Sequence, residues 1–282
     1  MAEIAAAQVM ALRNETDLPM MECKQALIAC SGEKAAALEW LAKKHKGKME
    51  ARADRETGEG SVAIHLQAGE QVGAIIEVRC ETAPVAKNEL FQGLIADMAR
   101  AVATGAESAP SPETVKAMTI AGSDTTVGEK LTEVYGRLRE TMNIGTCRRI
   151  TGEYLCSYIH HDHKSGILMS LSHRPQNEAV GRDLCMHTLF SKPMAISRDD
   201  MPAAEIEKVR RLAEEMAREQ GKPDNIVAKI VNGKVNAFLA DNSLHDQQHV
   251  NADLYGKKKI SEILSETGVE RVVEMAIVQV GV

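Results

Sequence analysis

The chain carries the same pattern twice, a β-hairpin followed by a helix, and this repeat limits its fold more than any other feature. Over residues 61–80 apolar side chains alternate on both sides of a turn near Gly69, and a helix is expected over about 82–103. Over residues 155–171 the alternation returns around a polar turn, and a helix is expected over about 177–190. The repeat predicts an α+β fold with two related core subdomains packed as one unit.

A small helical module is predicted ahead of this core. Between residues 2 and 45, three stretches carry apolar residues at helical spacing, separated by breaks at Pro19 and at Ser31-Gly32. Six basic residues lie between Lys43 and Arg55, and we interpret this run as a solvated linker to the core.

A pair of helices is predicted to interrupt the second core subdomain. Apolar residues recur at spacings of three and four from Ile206 to Met216, Gly221 and Pro223 end this helix, and another begins near Asp224. The outer faces of both helices are charged, which indicates a helical hairpin with solvent-exposed outer faces.

These patterns divide the chain into four parts. The predicted boundaries are 1–55 for the helical module with its basic linker, 56–145 for core subdomain N, 146–196 with 236–282 for core subdomain C, and 197–235 for the helical hairpin. The stretch 112–143 between the two copies is predicted to be helical, and 272–282 alternates as expected of a final strand.

Charge and cysteine usage exclude several classes of function. The formal net charge of -6 argues against a general nucleic-acid binder, because neutralising phosphates requires a basic surface. The six cysteines contain no C-x-x-C pair, which disfavours zinc ribbons and redox motifs. No apolar run approaches the length of a membrane span, and the cytoplasm is the expected compartment.

The sequence contains none of the common nucleotide-binding or catalytic motifs G-x-x-x-x-G-K, G-x-G-x-x-G, H-E-x-x-H and G-x-S-x-G. The nearest approach to a metal site is the run His160-His161-Asp162-His163. Adjacent residues in a hairpin turn rarely converge on one ion, so a solvated turn is favoured over a metal-dependent enzyme, which metal analysis of the purified protein would detect. We expect a protein that is not an enzyme and that needs no cofactor.

Two segments carry a family resemblance. Residues 12–27 are L-R-N-E-T-D-L-P-M-M-E-C-K-Q-A-L, and residues 77–87 are E-V-R-C-E-T-A-P-V-A-K. Together they resemble the two signatures of bacterial elongation factor Ts, the nucleotide-exchange factor of elongation factor Tu. The resemblance implies a ubiquitin-associated-like fold for the N-terminal module, a duplicated core and an inserted antiparallel helical hairpin.

The second signature contains the residues that, in this family, displace the magnesium-holding elements of the partner. There an Asp-Phe pair projects from a helix tip as a wedge, and this chain has Ala83 and Pro84 instead. The resemblance therefore assigns magnesium dislocation to Thr82, Ala83, Pro84 and Val85. We expect the Thr82 hydroxyl to cap the helix by accepting a backbone N–H, and Pro84 to be tolerated in the first helical turn.

The resemblance also assigns contacts with elongation factor Tu. They comprise four residues of the N-terminal module, one near the wedge and two in the second hairpin: Arg13, Met20, Met21, Lys24, Lys87, His160 and His161. Two adjacent methionines on a helix cannot both face inward, and we expect at least one of Met20 and Met21 to be buried. Trp40 is expected to belong to the core of the module.

The function implied by the resemblance is guanine-nucleotide exchange on elongation factor Tu during translation elongation, without nucleic-acid or membrane binding. A homodimer or a two-to-two complex with the partner is compatible with this function. Two alternatives stay open. One is a diverged relative that binds without driving exchange, and the other is an adaptor whose helical module recruits a different protein.

Overall fold

Two three-stranded antiparallel sheets lie at the centre of the structure, a computed structural model that describes residues 4–281. The strands are β1 (Glu59–Leu66), β2 (Val72–Cys80), β3 (Met142–Thr151), β4 (Tyr154–Ile159), β5 (Ser165–Leu171) and β6 (Val272–Gln279). The strand orders are β1-β2-β3 and β4-β5-β6, so both sheets share one topology. Residues 1–3 of the predicted module and Val282 of the predicted final strand lie outside the described range.

Helices form the start of the chain and cover the outer faces of the two sheets. Their bounds are α1 (Ala6–Thr16), α2 (Met20–Ala29), α3 (Lys34–Glu50), α4 (Ala83–Ala86), α5 (Glu89–Thr104), α6 (Pro112–Ala117), α7 (Val127–Leu138), α8 (Ala179–Ser191), α9 (Ala203–Glu219), α10 (Asp224–Asn242), α11 (Ala252–Tyr255) and α12 (Ile260–Glu266). No helix between residues 4 and 281 combines the length and the apolar character that crossing a membrane requires.

The two sheets face each other across one apolar layer. Ile75 of β2 and Leu168 of β5 belong to this layer and are fully buried. Their chain neighbours Ile76 and Ile167 lie on the opposite faces, where Ile76 packs in the cluster of α5 and α7, and Ile167 in the cluster of α8. Alternation along each strand therefore produces layers in the order helix, sheet, sheet, helix, and the mixed α+β class is confirmed.

The stretch 112–143, predicted to be helical, ends in a strand. It contains α6 and α7, but Met142 already begins β3, which pairs with β2. A register shift in this pairing inserts an extra residue into β3, as in a β-bulge. The bulge places Ile144 and Cys147, three residues apart, on the same face of the sheet, and Ile150 lies on the other face. The buried residues therefore recur at a spacing of three, which resembles a helical pattern rather than a strand.

The position of β3 can be compared with the subdomain boundary that the sequence predicted between residues 145 and 146. This boundary falls inside β3, and the pairing with β2 joins the whole strand to the first sheet. Each sheet is therefore a hairpin completed by a later strand, β3 after α4 to α7 and β6 after α8 to α12.

Helix α3 is longer than the sequence predicted. Interpreting 43–55 as a linker is wrong for its first half, because α3 continues to Glu50. His45 on this helix is buried against α7, where Gly136 leaves room for the imidazole: a Cβ at that position would overlap the ring. The N-terminal module is therefore docked on the first subdomain over the last turns of α3.

Helices α9 and α10 pack against each other through a cluster of their own. Its buried members are Ala213, Ala217, Val227, Val231 and Val235. Helix α10 continues past the predicted end of the hairpin at 235 to Asn242, whose carbonyl accepts the backbone N–H groups of Met194 and Ala195 at 2.9 and 3.2 Å. These bonds fix the base of the helical pair to the second subdomain.

Candidate functional site

Helix α4 is a single turn that follows the central strand of the first sheet, and it carries three of the four residues assigned to magnesium dislocation. Thr82 precedes it in an extended conformation (φ -134°, ψ 151°), and Pro84 is its second residue and is exposed. Backbone N–H groups in a first helical turn have no carbonyl partner within the helix, so a proline there leaves no helical bond unmade. The tip therefore keeps a helical shape with Ala83 and Pro84 in place of Asp and Phe.

Thr82 does not cap α4 with its hydroxyl, so that prediction is wrong. The Thr82 hydroxyl instead donates to Glu140 Oε1 at 2.7 Å, and the Thr82 backbone N–H donates to Glu140 Oε2 at 3.0 Å. A carboxylate only accepts hydrogen bonds and accepts them strongly, so it competes successfully for the hydroxyl proton. Glu140, which lies just after α7, thus holds the start of the tip through two hydrogen bonds.

The end of the tip is held as well. The carbonyl of Ala86 accepts hydrogen bonds from the Ser61 hydroxyl at 3.3 Å and from the Gln92 side-chain amide. Val85 is half-buried against the first core cluster, whereas Lys87 is exposed where α4 ends. Both ends of a one-turn helix are therefore tied to the subdomain, and Pro84 is presented on a fixed backbone.

The predicted helix over 82–103 is two helices rather than one. Helix α5 starts anew at Glu89, because the Asn88 side chain accepts the Leu90 N–H at 2.9 Å as an N-cap. Asn88 is in an extended conformation (φ -71°, ψ 137°), which separates the tip from the helix that packs on the sheet.

The N-terminal module presents the other predicted contact residues on its surface. Arg13 of α1 and Lys24 of α2 are exposed. Met20 is 47% exposed and Met21 is 65% exposed, so the expectation that one of them is buried is wrong. The module core is filled by other residues of α2, including Cys23, Ala26 and Leu27. Both methionines therefore present apolar area on the solvent side of α2.

Trp40 lies at the edge of the module core and is half-buried. The Lys44 ammonium lies 4.6 Å from the centre of its ring, a cation–π contact. The expectation of a core tryptophan therefore holds in part, since one side of the ring packs inward and a lysine covers another.

The histidine turn lies between β4 and β5. The rings of His160 and His161 are 4.2 Å apart, and the Tyr158 hydroxyl lies 3.4 Å from His160 Nδ1. Over the described part of the chain, no group of three or more His, Cys, Asp or Glu side chains is arranged to hold a metal ion.

An apolar groove beside this turn was not predicted from the sequence. It has a volume of about 460 Å³ and runs between the hairpin and α8. Met186 and Phe190 of α8 are 42% and 78% exposed, and Val250 is 48% exposed. Met186 and Phe190 are four residues apart and share one helix face. Large apolar residues on the outer face of a predicted amphipathic helix are the signal that could have identified this surface.

Two histidines fix the floor of the groove. His187 is buried, its Nδ1 accepts the Val250 N–H at 3.2 Å, and its Nε2 lies 3.0 Å from Gln247 Oε1. The ring must therefore carry its proton on Nε2 and be neutral. Burial lowers the pKa of His187 to about 4, which agrees with this state. His249 stacks on it with ring centres 5.1 Å apart.

The structure thus places the predicted residues at three separate parts of the surface. They are the tip at α4, the histidine turn with its groove, and a surface formed by Met20 and Met21 of α2, which we call the methionine surface, with Arg13 and Lys24 on the same module. They do not converge on a pocket that could hold a small substrate. Separate exposed patches of this kind suit contacts with a large partner rather than chemistry at one centre.

Comparison with known proteins gives consistent matches. The family model described as "Elongation factor TS" matches residues 81–282. Elongation factor Ts of Bordetella petrii is 39% identical over 268 residues, covering 94% of this chain and 88% of the relative. Elongation factor Ts of Burkholderia thailandensis is 40% identical over 266 residues, covering 94% and 86%, and that of Bordetella avium is 39% identical over 270 residues, covering 95% and 88%.

Proposed function

The chain belongs to the elongation factor Ts family, and from this premise we propose that it promotes the release of GDP from elongation factor Tu during translation elongation. An exchange factor breaks no covalent bond. It binds the nucleotide-free partner more tightly than the GDP-bound partner, and GDP must weaken binding of the factor by the same ratio.

The observation that carries this proposal is the tip at α4. The carboxylate of Glu140 holds Thr82, and Ser61 and Gln92 hold Ala86, so Pro84 protrudes on a backbone fixed at both ends. A fixed protrusion can displace a partner's loop by occupying its space, without supplying a charge or an aromatic ring. Rigidity matters here because a flexible tip would yield instead of displacing.

Two further surfaces supply affinity. Met20 and Met21 offer exposed apolar area next to the cations Arg13 and Lys24, and this combination suits one docking contact of the partner. The groove beside His160 and His161 offers a second. Contacts at two separate surfaces in addition to the tip would hold the tip against the nucleotide site of the partner.

A second candidate function is binding without exchange. Ala83 and Pro84 provide neither the carboxylate nor the aromatic ring of the family's wedge, and this difference favours a partner-binding relative or adaptor. The two functions differ in the affinities that they require, because only exchange requires tighter binding to the nucleotide-free partner. A factor that only binds need not distinguish GDP-bound from nucleotide-free elongation factor Tu.

Calorimetric titration of the chain into both forms of elongation factor Tu from the same organism tests the proposal. We expect affinity for the nucleotide-free form to exceed that for the GDP-bound form by at least about tenfold, or 1.4 kcal/mol of coupling. The isolated chain should bind no GDP. Equal affinities for the two forms would support the binding-only relative instead.

The proposal extends to the setting of the protein. We expect the chain to act in the cytoplasm, where translation takes place, without a cofactor and without nucleic-acid or membrane binding. The predicted homodimer or two-to-two complex stays a prediction, which sedimentation of the chain alone and with its partner would test.

A further inference from the structure

Three consecutive residues, Arg139, Glu140 and Thr141, connect the N-terminal module with the tip at α4. They follow α7, and Arg139 ends that helix in the left-handed conformation, with φ 63°. We refer to them as the 139–141 loop. Each of them makes a specific contact with one of the two elements or with the residues beside it.

Arg139 reaches into the module. Its guanidinium is paired with the carboxylate of Glu22 on α2, which is only 7% exposed. Neutral His45 lies 3.2 Å from the same carboxylate through its Nε2, while Lys44 and Lys48 lie 3.5 and 3.7 Å away. Of these groups, Arg139 alone belongs to the core subdomain.

The surroundings make this pair strong. Burial alone would raise the pKa of Glu22, but hydrogen bonds from Arg139 and His45 outweigh burial and lower that pKa to about 2. Burial also lowers the pKa of His45, so the imidazole is a neutral donor to Glu22. Glu22 is buried, whereas the Arg139 side chain is 41% exposed. Removing the guanidinium therefore leaves a buried carboxylate with less compensation for its charge.

Glu140 and Thr141 hold the other side. Glu140 accepts both hydrogen bonds of Thr82, at 2.7 and 3.0 Å, at the start of the tip. The Thr141 N–H donates to Glu81 Oε1 at 2.8 Å, and this bond lowers the pKa of Glu81. The Thr141 hydroxyl donates to the carbonyl of Arg52 at 3.2 Å, just after α3.

We infer that the 139–141 loop positions the methionine surface of the module and the tip at α4 relative to each other, so that both contact the partner at once. The inference rests on the proposed function, since it assumes that both elements bind elongation factor Tu. Arg139 and Glu140 are positioning residues rather than contact residues. Although they are adjacent in the sequence, Arg139 should affect binding of the partner and Glu140 should affect GDP release from the bound partner.

The first test changes Arg139 to glycine. Glycine favours the left-handed conformation at this position, so Arg139→Gly removes the guanidinium without straining the end of α7. The module would then dock less firmly, and binding would lose its preorganisation. We expect the half-saturating concentration for GDP release from elongation factor Tu to rise by roughly tenfold. The release rate at saturation should stay within about twofold of wild type, because the tip itself is intact.

The second test changes Glu140 to alanine. Thr82 would lose the acceptor of both its hydrogen bonds, and the tip would yield against the partner. We expect the saturating release rate to fall by roughly tenfold with the half-saturating concentration within about twofold of wild type. Glu107→Ala removes an exposed carboxylate of the same subdomain and should change neither value.

Two more variants probe the module side. Arg139→Lys keeps the charge and should restore the half-saturating concentration to within about threefold of wild type. Gly136→Ala alters no charge but forces the His45 ring away from α7, and should raise the half-saturating concentration as Arg139→Gly does. Unchanged half-saturating concentrations in both Arg139→Gly and Gly136→Ala would overturn the inference.

A measurement without the partner separates this inference from the proposed function. Trp40 is the single tryptophan of the chain and lies in the module, so its fluorescence reports module unfolding alone. In wild type, the thermal transitions of Trp40 fluorescence and far-ultraviolet dichroism should coincide. In Arg139→Gly the Trp40 transition should occur at a lower temperature than the dichroism transition. It should still lie above the temperature of the exchange assay.

Coincident transitions in Arg139→Gly would contradict a positioning role, and so would a module already unfolded at the assay temperature. If wild type fails to release GDP, the proposed function is wrong. The separation of the two transitions would then still test the docking of the module by the 139–141 loop.

Discussion

Pro84 is exposed in the first turn of α4, where its missing N–H has no helical partner to lose. The side chain at this position does not hold the tip in place. Thr82 and Ala86 do so, through Glu140 at one end and Ser61 and Gln92 at the other. The shape of the tip and the identity of its exposed side chains are therefore separable properties.

The double change Ala83→Asp with Pro84→Phe tests this separation. We expect the rate of GDP release from elongation factor Tu to change by less than about tenfold, or 1.4 kcal/mol of activation free energy, because the role we propose for the native tip is steric intrusion. The rate is measured with a fluorescent GDP at saturating factor. An increase of several orders of magnitude would show that the native protein lacks an effective wedge and is a binding-only relative.

His187 should make stability depend on pH. Its pKa is lowered from 6.5 to about 4 in the folded chain, so folding favours the neutral ring. This contribution is complete above pH 6.5 and is lost as the pH falls towards 4, with a total of roughly 3 kcal/mol. Urea unfolding of wild type and His187→Gln between pH 7 and pH 4 measures it.

The His187→Gln variant should lose less stability than wild type on acidification, because it lacks the imidazole that titrates. Exposed His173 provides the control: His173→Gln should follow wild type throughout. Equal pH dependence in His187→Gln and wild type would mean that the buried ring contributes nothing in this range.

Among the elements, regular periodicity was enough to predict the hairpins and the helices that follow them. The first hairpin ends at Cys80 as predicted, and the three N-terminal helices and the inserted pair of helices are present. Strand β3 was missed because its buried residues do not alternate: the bulge separates Ile144 and Cys147 by three residues on one face, and Ile150 is buried on the other face. A bulge depends on pairing with β2, which local periodicity does not contain.

The candidate site was harder to predict in detail. The exposure of both Met20 and Met21 depends on Cys23, Ala26 and Leu27 filling the module core, and several faces of α2 were compatible with the sequence. The bond from Thr82 to Glu140 joins residues far apart in the chain, so no local capping rule includes it. Family signatures located the tip, but tertiary partners determine how it is held.

The methionine surface of α2 should contribute affinity and little stability. Replacing Met20 and Met21 together with serine removes exposed apolar area, at 47% and 65% exposure, without opening a cavity. We expect the dissociation constant for nucleotide-free elongation factor Tu to rise by at least about tenfold, and the unfolding free energy to stay within about 0.5 kcal/mol.

Met216 offers the matched control for this surface. It is 58% exposed on α9, outside the predicted contacts, so Met216→Ser should leave the dissociation constant unchanged. If the double serine variant binds as tightly as wild type, α2 is not a docking surface and the role assigned to Arg13 and Lys24 beside it also fails.

At the scale of the whole molecule, the two sheets share one apolar layer. Its buried members come from both subdomains: Val62, Ile75, Ile150, Leu155, Leu168, Ala276 and Val278. The carboxylate of Glu77 also joins them, since it accepts the N–H of Thr146 at 3.2 Å and that of Gly281 at 3.1 Å. Each sheet needs the other to bury its inner face, so the two subdomains should unfold together.

Truncating Leu168 tests this joint core. Leu168→Ala leaves a cavity between the sheets and should lower the unfolding free energy by about 3 kcal/mol, with one cooperative urea transition retained. Exposed Leu212 on α9 is the control, and Leu212→Ala should change the unfolding free energy by less than about 0.5 kcal/mol. Two resolved transitions, in wild type or variant, would indicate subdomains that fold independently.

The central claim is that the chain couples its own binding to the loss of GDP by elongation factor Tu. Stopped-flow release of a fluorescent GDP, at increasing concentrations of the chain, measures this directly. We predict a release rate that rises to a plateau at least about a hundredfold above spontaneous release, equivalent to roughly 2.7 kcal/mol. Saturable binding with a release rate within about twofold of the spontaneous value would contradict the claim.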